Sequence, residues 1–212
     1  MNRDILEKNK VEITGKIATS FVYSHEVYGE KFYTADVIVK RLSGFEDMIP
    51  LVVSERLVDV TQSYVGQMVH IMGQFRSFNK HAAEKNRLIL TVFVLEWEFV
   101  GTITCGGQSN EILLDGYVCK IPTYRKTPLG REITDLLIAV NRSYGKSDYI
   151  PCICWGRNSR YVSGLPIGTH VCLRGRIQSR AYKKIIDETR GELRIAYEVS
   201  VSGIEIVEDK KR

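Results

Sequence analysis

The sequence predicts an all-β protein made of two small barrels in tandem, and three observations carry that prediction. The 212 residues are 44% hydrophobic and 9% aromatic, enough apolar material for one large core or two small ones, which excludes a disordered or low-complexity chain. The apolar runs are short; the longest, such as 88–94, have strand length and fall far short of the ~20 residues a bilayer requires. Third, the chain repeats itself. Asn9 falls on Asn110, Gly15 on Gly116, Gly29 on Gly130 and Arg41 on Arg142, and the register runs on through Gly44/Gly145, Asp47/Asp148, Ile49-Pro50/Ile150-Pro151 and Arg56/Arg157. One inserted residue then moves it to Gly66/Gly168, Gly73/Gly175 and Ser77/Ser179. The period is too long for a solenoid unit and matches a small domain. The reading is therefore an internal duplication, with domain 1 over residues 1–104, domain 2 over 105–212 and a short Gly-rich join at 101–110.

Each copy reads as five strands separated by Gly, Pro and Lys-rich turns. In the first copy they are expected at about 11–18, 33–40, 48–54, 68–78 and 88–99, and in the second at about 112–120, 134–141, 149–155, 170–182 and 193–206. One short helical or irregular segment separates the third strand from the fourth. Strands at this density without βαβ alternation favour a small antiparallel barrel. Five strands with a helix after the third is the OB arrangement, which composition alone does not separate from an SH3-like barrel or a sandwich.

Charge divides the copies. Residues 1–105 carry 12 basic and 13 acidic groups, a net −1, and residues 106–212 carry 18 and 12, a net +6. A basic surplus confined to one half points that half toward a polyanion. The start MNRDILEKNK has no apolar signal segment, so a soluble, cytoplasmic protein is expected, without membrane contact. The five Cys form no Cys-x-x-Cys, and His25, His70, His81 and His170 are scattered. No disulfide framework, metal site or cofactor is expected, and Cys152 and Cys154 read as buried strand residues. Neither a P-loop, a Gly-x-Ser-x-Gly nor a His-Glu-x-x-His occurs, and Asp135 and Asp148 stand singly, so the chain is not expected to be an enzyme.

The fourth strand of the second copy alternates with period two. His170, Cys172, Arg174, Arg176, Gln178, Arg180 and Tyr182 point one way, and Val171, Leu173, Gly175, Ile177 and Ala181 the other. With the apolar set inward, a ladder of three Arg ending in an aromatic ring faces solvent. No acid interrupts it from His170 to Lys184, so these cations are expected to lack local partners and to meet phosphate. On the third strand, Tyr149, Pro151, Ile153 and Trp155 share the outer face and Ile150, Cys152 and Cys154 the inner. Outward rings interleaved with Arg suit single-stranded nucleic acid, because unpaired bases expose π-faces while the backbone carries one charge per nucleotide.

The segment 110–184, with NEILLDGYV, PTYRKTPLG, AVNRSYGKSDYIPCICWGR and GTHVCLRGRIQSRAY, resembles the bacterial single-stranded DNA-binding protein family over nearly a whole OB domain. The resemblance implies base stacking by Tyr144, Tyr149, Trp155 and Tyr182, and phosphate contacts by Arg125, Arg157, Arg176 and Arg180. Lys126, Arg142, Arg174, Lys183 and Lys184 complete the expected basic set. It also implies roles in DNA replication, recombination or repair and a working unit of four OB domains, hence a homodimer of this two-domain chain. The first copy departs from the pattern: the four ring positions become Ser43, Met48, Ser54 and Lys80, which makes it the expected structural or dimerising copy; its Phe78, Phe45, Tyr28 and Tyr33 are open to base stacking or to core and interface roles. The chain closes on IVEDKKR, so the acidic recruitment tail of the family is not expected. Accessory relatives of the primosomal type keep an interaction-module reading open, and stacking alone leaves single-stranded RNA open.

Overall fold

A computed structural model describes residues 8–80, 87–101, 109–185 and 191–208. Twelve strands form one continuous sheet that closes twice. In the first half β1 (Asn9–Ile17), β2 (Val22–Val27), β3 (Glu30–Lys40), β4 (Glu46–Ser54), β5 (Met68–Lys80) and β6 (Arg87–Phe99) follow in order. The second half repeats them as β7 (Ser109–Val118), β8 (Thr123–Lys126), β9 (Glu132–Asn141), β10 (Ser147–Trp155), β11 (His170–Ile185) and β12 (Gly191–Ile206), with helix α1 (Gly156–Val162) after β10. In each half the neighbours run β1-β5-β6-β4-β3 and back to β1, or β7-β11-β12-β10-β9 and back to β7, and only β4–β6 and β10–β12 are parallel. These are two five-stranded OB-type barrels, as the sequence predicts. The join expected between residues 104 and 105 lies outside the described residues.

Alternation builds both barrels. On β1, Val11, Ile13, Gly15 and Ile17 are buried while Lys10, Glu12, Thr14 and Lys16 are not, and on β7 Ile112, Leu114, Gly116 and Val118 repeat the pattern. The cores are closed by residues such as Ile49, Leu51, Ile71 and Phe75 in one barrel and Ile138, Ile150, Leu173 and Ile177 in the other. Curvature comes from matched bulges at Gly73 and Gly175, where the facing strand carries one extra residue. A Cβ on Gly175 would lie 2.3 Å from the Ser200 carbonyl oxygen, so the approach that closes the barrel requires glycine.

Two elements escape the sequence reading. β2 and β8 are short strands with no buried residue; each pairs only with the strand that follows, as an external flap, so no hydrophobic period marks it. The fourth and fifth strands also run further than expected. Beyond the barrel, β11 and β12 continue as a ribbon on which Ala181, Leu193 and Ile195 are exposed. Ala181 is therefore not inward as the alternation expects, because at that point no barrel remains for it to face.

The duplication is also the assembly rule. β1 and β7 pair antiparallel, with Val11 opposite Ile112, its own counterpart in the repeat, so a local two-fold axis passes between them. Asn9 exchanges two hydrogen bonds with the Phe75 backbone (2.8 and 2.9 Å), and Asn110 does the same with Ile177 (2.7 and 2.9 Å). The same symmetry governs two buried clamps. Arg41 grips Asp47 through Nε and Nη2, both at 2.6 Å, and Asp47 Oδ1 accepts the backbone N–H (2.7 Å) and hydroxyl (3.1 Å) of Ser179 in the opposite barrel. Arg142 likewise grips Asp148, which accepts the Ser77 N–H, while Arg142 Nη2 donates to the Ser77 carbonyl at 2.8 Å. Both carboxylates are 1% exposed, and a buried carboxylate persists when cations and N–H groups saturate it.

Candidate nucleic-acid interface

An open groove of about 910 Å³ crosses the face of the second barrel. Its floor is Ile153, from the outer face of β10, and Trp155 stands at the end of the same strand. Five Arg (Arg41, Arg125, Arg131, Arg176 and Arg180) line it against one carboxylate, Glu198. A smaller depression beside it, lined by Lys126 and Arg131, shares Trp155 as a wall. Such a cleft concentrates positive potential and admits flat, apolar groups beside an anionic backbone.

Outward rings are where the alternation places them. Tyr149 is 47% exposed, Trp155 37% and Tyr182 38%, while Ile150, Cys152 and Cys154 on the other face of β10 are buried. Ile153 shares the outer face yet is buried, because the groove walls rise around it. Tyr182 lies on the ribbon with the Arg180 guanidinium 6.0 Å from its ring. Tyr144 is in a 3-10 turn, Ser143–Gly145, and its side chain, like those of Lys183 and Lys184, lies outside the described residues.

Basic positions separate into three groups. Arg125, Lys126, Arg176 and Arg180 lie in the groove or the adjoining depression. Arg157 and Arg174 are exposed but line neither. Arg142 is turned away, held by Asp148 and Ser77. The expected lack of acidic partners along the ladder is corrected by the fold: Glu198 on β12, opposite Gln178 in register, accepts from Gln178 at 2.8 Å and pairs with Arg180 at 3.8 Å. Sequence inspection of one strand cannot see its neighbour. Gln178, placed on the solvent face by the alternation, is buried by this contact. Arg125 is also paired, with Asp135 at 2.8 Å, and that hydrogen bond raises its pKa. Exposed pairs of this type contribute about 0 to 1 kcal/mol, so a phosphate competes with them readily. Burial holds the Arg176 pKa below the ordinary value, with the Arg41 charge adding to it and Asp47 opposing it.

Arg131 and Arg41 also line the groove without having been placed there by the sequence reading, and Phe45, open to stacking in its own copy, lines the groove of the other. Arg131 immediately precedes β9, after the turn TPLG, a position a charge map of turns would have flagged. Arg41 and Phe45 belong to the first barrel, and only the inter-barrel contact brings them across.

Residues 109–207 match the family described as the single-strand binding protein family. The match covers the second barrel, a little under half of the chain. The chain is 29% identical over 108 residues to single-stranded DNA-binding protein A of Bacillus subtilis (strain 168), covering 48% of this chain and 60% of the relative. Single-stranded DNA-binding protein 1 of Staphylococcus aureus (strain COL) is 30% identical over the same length, with 48% and 62% covered. The chain thus spans about three fifths of the length of these relatives. The whole chain superimposes on the crystal structure of the wild-type single-stranded DNA binding protein from Thermus aquaticus with a TM-score of 0.74, covering 96% of this chain and 95% of that one. At 16% identity this likeness concerns the two-barrel fold alone. Among the described residues no helix is long and apolar enough to cross a membrane.

Proposed function

We propose that the chain binds single-stranded DNA in a largely sequence-tolerant manner. Bases stack on Tyr144, Tyr149, Trp155 and Tyr182, and the backbone follows Arg125, Lys126, Arg131, Arg176 and Arg180, with Arg157, Arg174, Lys183 and Lys184 at the margins. The observation that carries this reading is Trp155, a partly exposed ring set in a groove of five Arg and one acid. Duplex DNA hides its π-faces and offers nothing for that ring, whereas each stacked base on a single strand contributes about 1 to 3 kcal/mol. Names of the relatives agree with this assignment.

In this account the chain performs no catalytic step and protects exposed strands in the cytoplasm during replication, recombination or repair. The second domain, 105–212, carries the strand; the first, 1–104, is mainly architectural. Four barrels, hence two chains, form the working unit. Arg142 serves the inter-barrel clamp rather than phosphate.

The test is a titration of the full chain with fluorescent oligo-dT, oligo-rU and duplex DNA at two salt concentrations. Tight binding of oligo-dT that falls steeply with salt, about −0.7 in the log-log slope per phosphate neutralised, supports the proposal. Equal affinity for duplex, or a flat salt response, overturns it.

A further inference from the structure

The first barrel has lost the ring positions of the second, yet one of its rings lies in the second barrel's groove. Phe45 sits at the tip of the β3–β4 hairpin, is 56% exposed, and lines the groove together with Trp155. Its placement is fixed from three directions. The Arg41 N–H donates to the Phe45 carbonyl at 2.7 Å and closes the hairpin. The Arg41 guanidinium lies 4.6 Å from the ring centroid, a cation–π contact that orients the ring. Arg41 and Asp47 are together bonded to Ser179, which lies between the groove residues Gln178 and Arg180 on β11. An exposed Phe so firmly positioned presents apolar area to whatever enters the groove.

Two-fold symmetry supplies the comparison. The counterpart of Phe45 is Lys146, on a hairpin closed by the same bond, Arg142 N–H to Lys146 carbonyl at 2.7 Å, and clamped by Arg142 and Asp148 to Ser77. Each barrel therefore presents one hairpin tip to the other. At this position the tip that reaches the basic groove carries a ring and the other a cation; the ring of the other tip, Tyr144, stands two residues earlier. The reciprocal face of the first barrel is partly filled from within. Ser54, at the counterpart of Trp155, is buried and bonded to Glu30; His25 stacks on Phe32 at 5.1 Å; and Arg76 covers Phe93 at 3.7 Å. Side chains of that barrel thus cover a face of Phe32 and a face of Phe93, while Phe78, at the counterpart of Arg180, is 49% exposed.

We infer that the first barrel acts on the ligand in trans, with Phe45 serving as an additional base-stacking ring that completes the second barrel's groove. The inference rests on single-stranded DNA being the ligand. A strand on Trp155 then runs toward the first barrel's hairpin tip, not onto the first barrel's own sheet.

The experiment compares the full chain with Phe45→Ala, Phe45→Leu and Phe45→Tyr on oligo-dT and on an abasic oligodeoxynucleotide of equal length. Ala and Leu should each weaken oligo-dT binding by about tenfold, the loss of one stacking ring, while Tyr stays within about threefold of the original. The salt slope should not change, because no phosphate contact is removed, and the abasic strand should bind all four chains alike. Ala and Leu variants within about twofold of the original on oligo-dT overturn the inference. An equal loss on the abasic strand also overturns it, since Phe45 would then be holding the hairpin rather than a base. If the unaltered chain does not bind oligo-dT, the functional proposal falls and this inference with it; a silent Phe45→Ala beside a damaging Trp155→Ala overturns this inference alone.

Discussion

Replacing Asp148 by Ala should destabilise the chain without weakening DNA binding at a temperature where the variant is folded. Asp148 is 1% exposed and is the acceptor for both the Ser77 N–H and the Arg142 guanidinium. Its loss leaves the Ser77 N–H unsatisfied, costing about 1 to 3 kcal/mol. It also strands a guanidinium; breaking a buried pair costs about 3 to 5 kcal/mol in all. Arg142 is 28% exposed and recovers some hydration, so the lower end of that range, about 3 kcal/mol, is expected. For a chain of this size each kcal/mol moves Tm by roughly 2 to 4 °C, giving a fall of about 6 to 12 °C by calorimetry. Asp47→Ala should match it within about 1 kcal/mol, because the Arg41, Asp47 and Ser179 contacts repeat the arrangement across the two-fold axis. A change under about 1 kcal/mol would refute the clamp. If Arg142 instead served phosphate, Arg142→Gln would make the salt slope shallower by about 0.7, which the clamp account does not allow.

Other consequences are open to measurement. Trp155→Ala or Tyr149→Ala should cost roughly 1 to 3 kcal/mol of oligo-dT binding with little loss of folding, whereas Met48→Ala or Ser54→Ala should leave binding almost unchanged; equal losses from both barrels in a titration would contradict the division of roles. Burial raises the Asp36 pKa above its ordinary 3.8, so the native state holds a proton that the unfolded chain releases, and stability falls as pH rises through that interval. Asp36→Asn should therefore raise Tm at pH 7, with the advantage closing below about pH 4; an advantage that persists at pH 3 would refute the assignment. Burial pushes the Cys154 thiol up to about 12 and Cys152 well above its ordinary value. Both should resist maleimide at pH 8 until the chain is unfolded, as mass mapping would show, and rapid native labelling at either would contradict their place in the core.

Much of this architecture is readable from residue order because the barrel imposes period two on each strand. Tyr149 and Trp155 were separable from Cys152 and Cys154 on alternation alone, and the burial of the latter pair against the exposure of the former follows. The repeat Arg41/Arg142, Asp47/Asp148 and Ser77/Ser179 was equally visible, but its purpose was not. A repeat establishes that two positions are equivalent; it does not say that the cation–carboxylate pair of one copy grips the serine of the other. For the same reason Arg142 looked like a free surface cation, and Phe45 could be read only as a stacking, core or interface ring of its own copy. Gln178 and Glu198 met the related limit that partners on adjacent strands are distant in sequence. β2 and β8 were illegible because neither faces a core.

The central claim is that single-stranded DNA lies in the second barrel's groove, and photo-cross-linking locates it most directly. Full-length chain would be irradiated with an oligo-dT in which thymines are replaced by 5-bromouracil, digested and mapped by mass spectrometry. Cross-links are predicted at Trp155, Tyr149 and Tyr182, with Phe45 the contact from the first barrel. Adducts confined to the first barrel's own sheet, at Phe32, Phe78 or Phe93, would contradict the account.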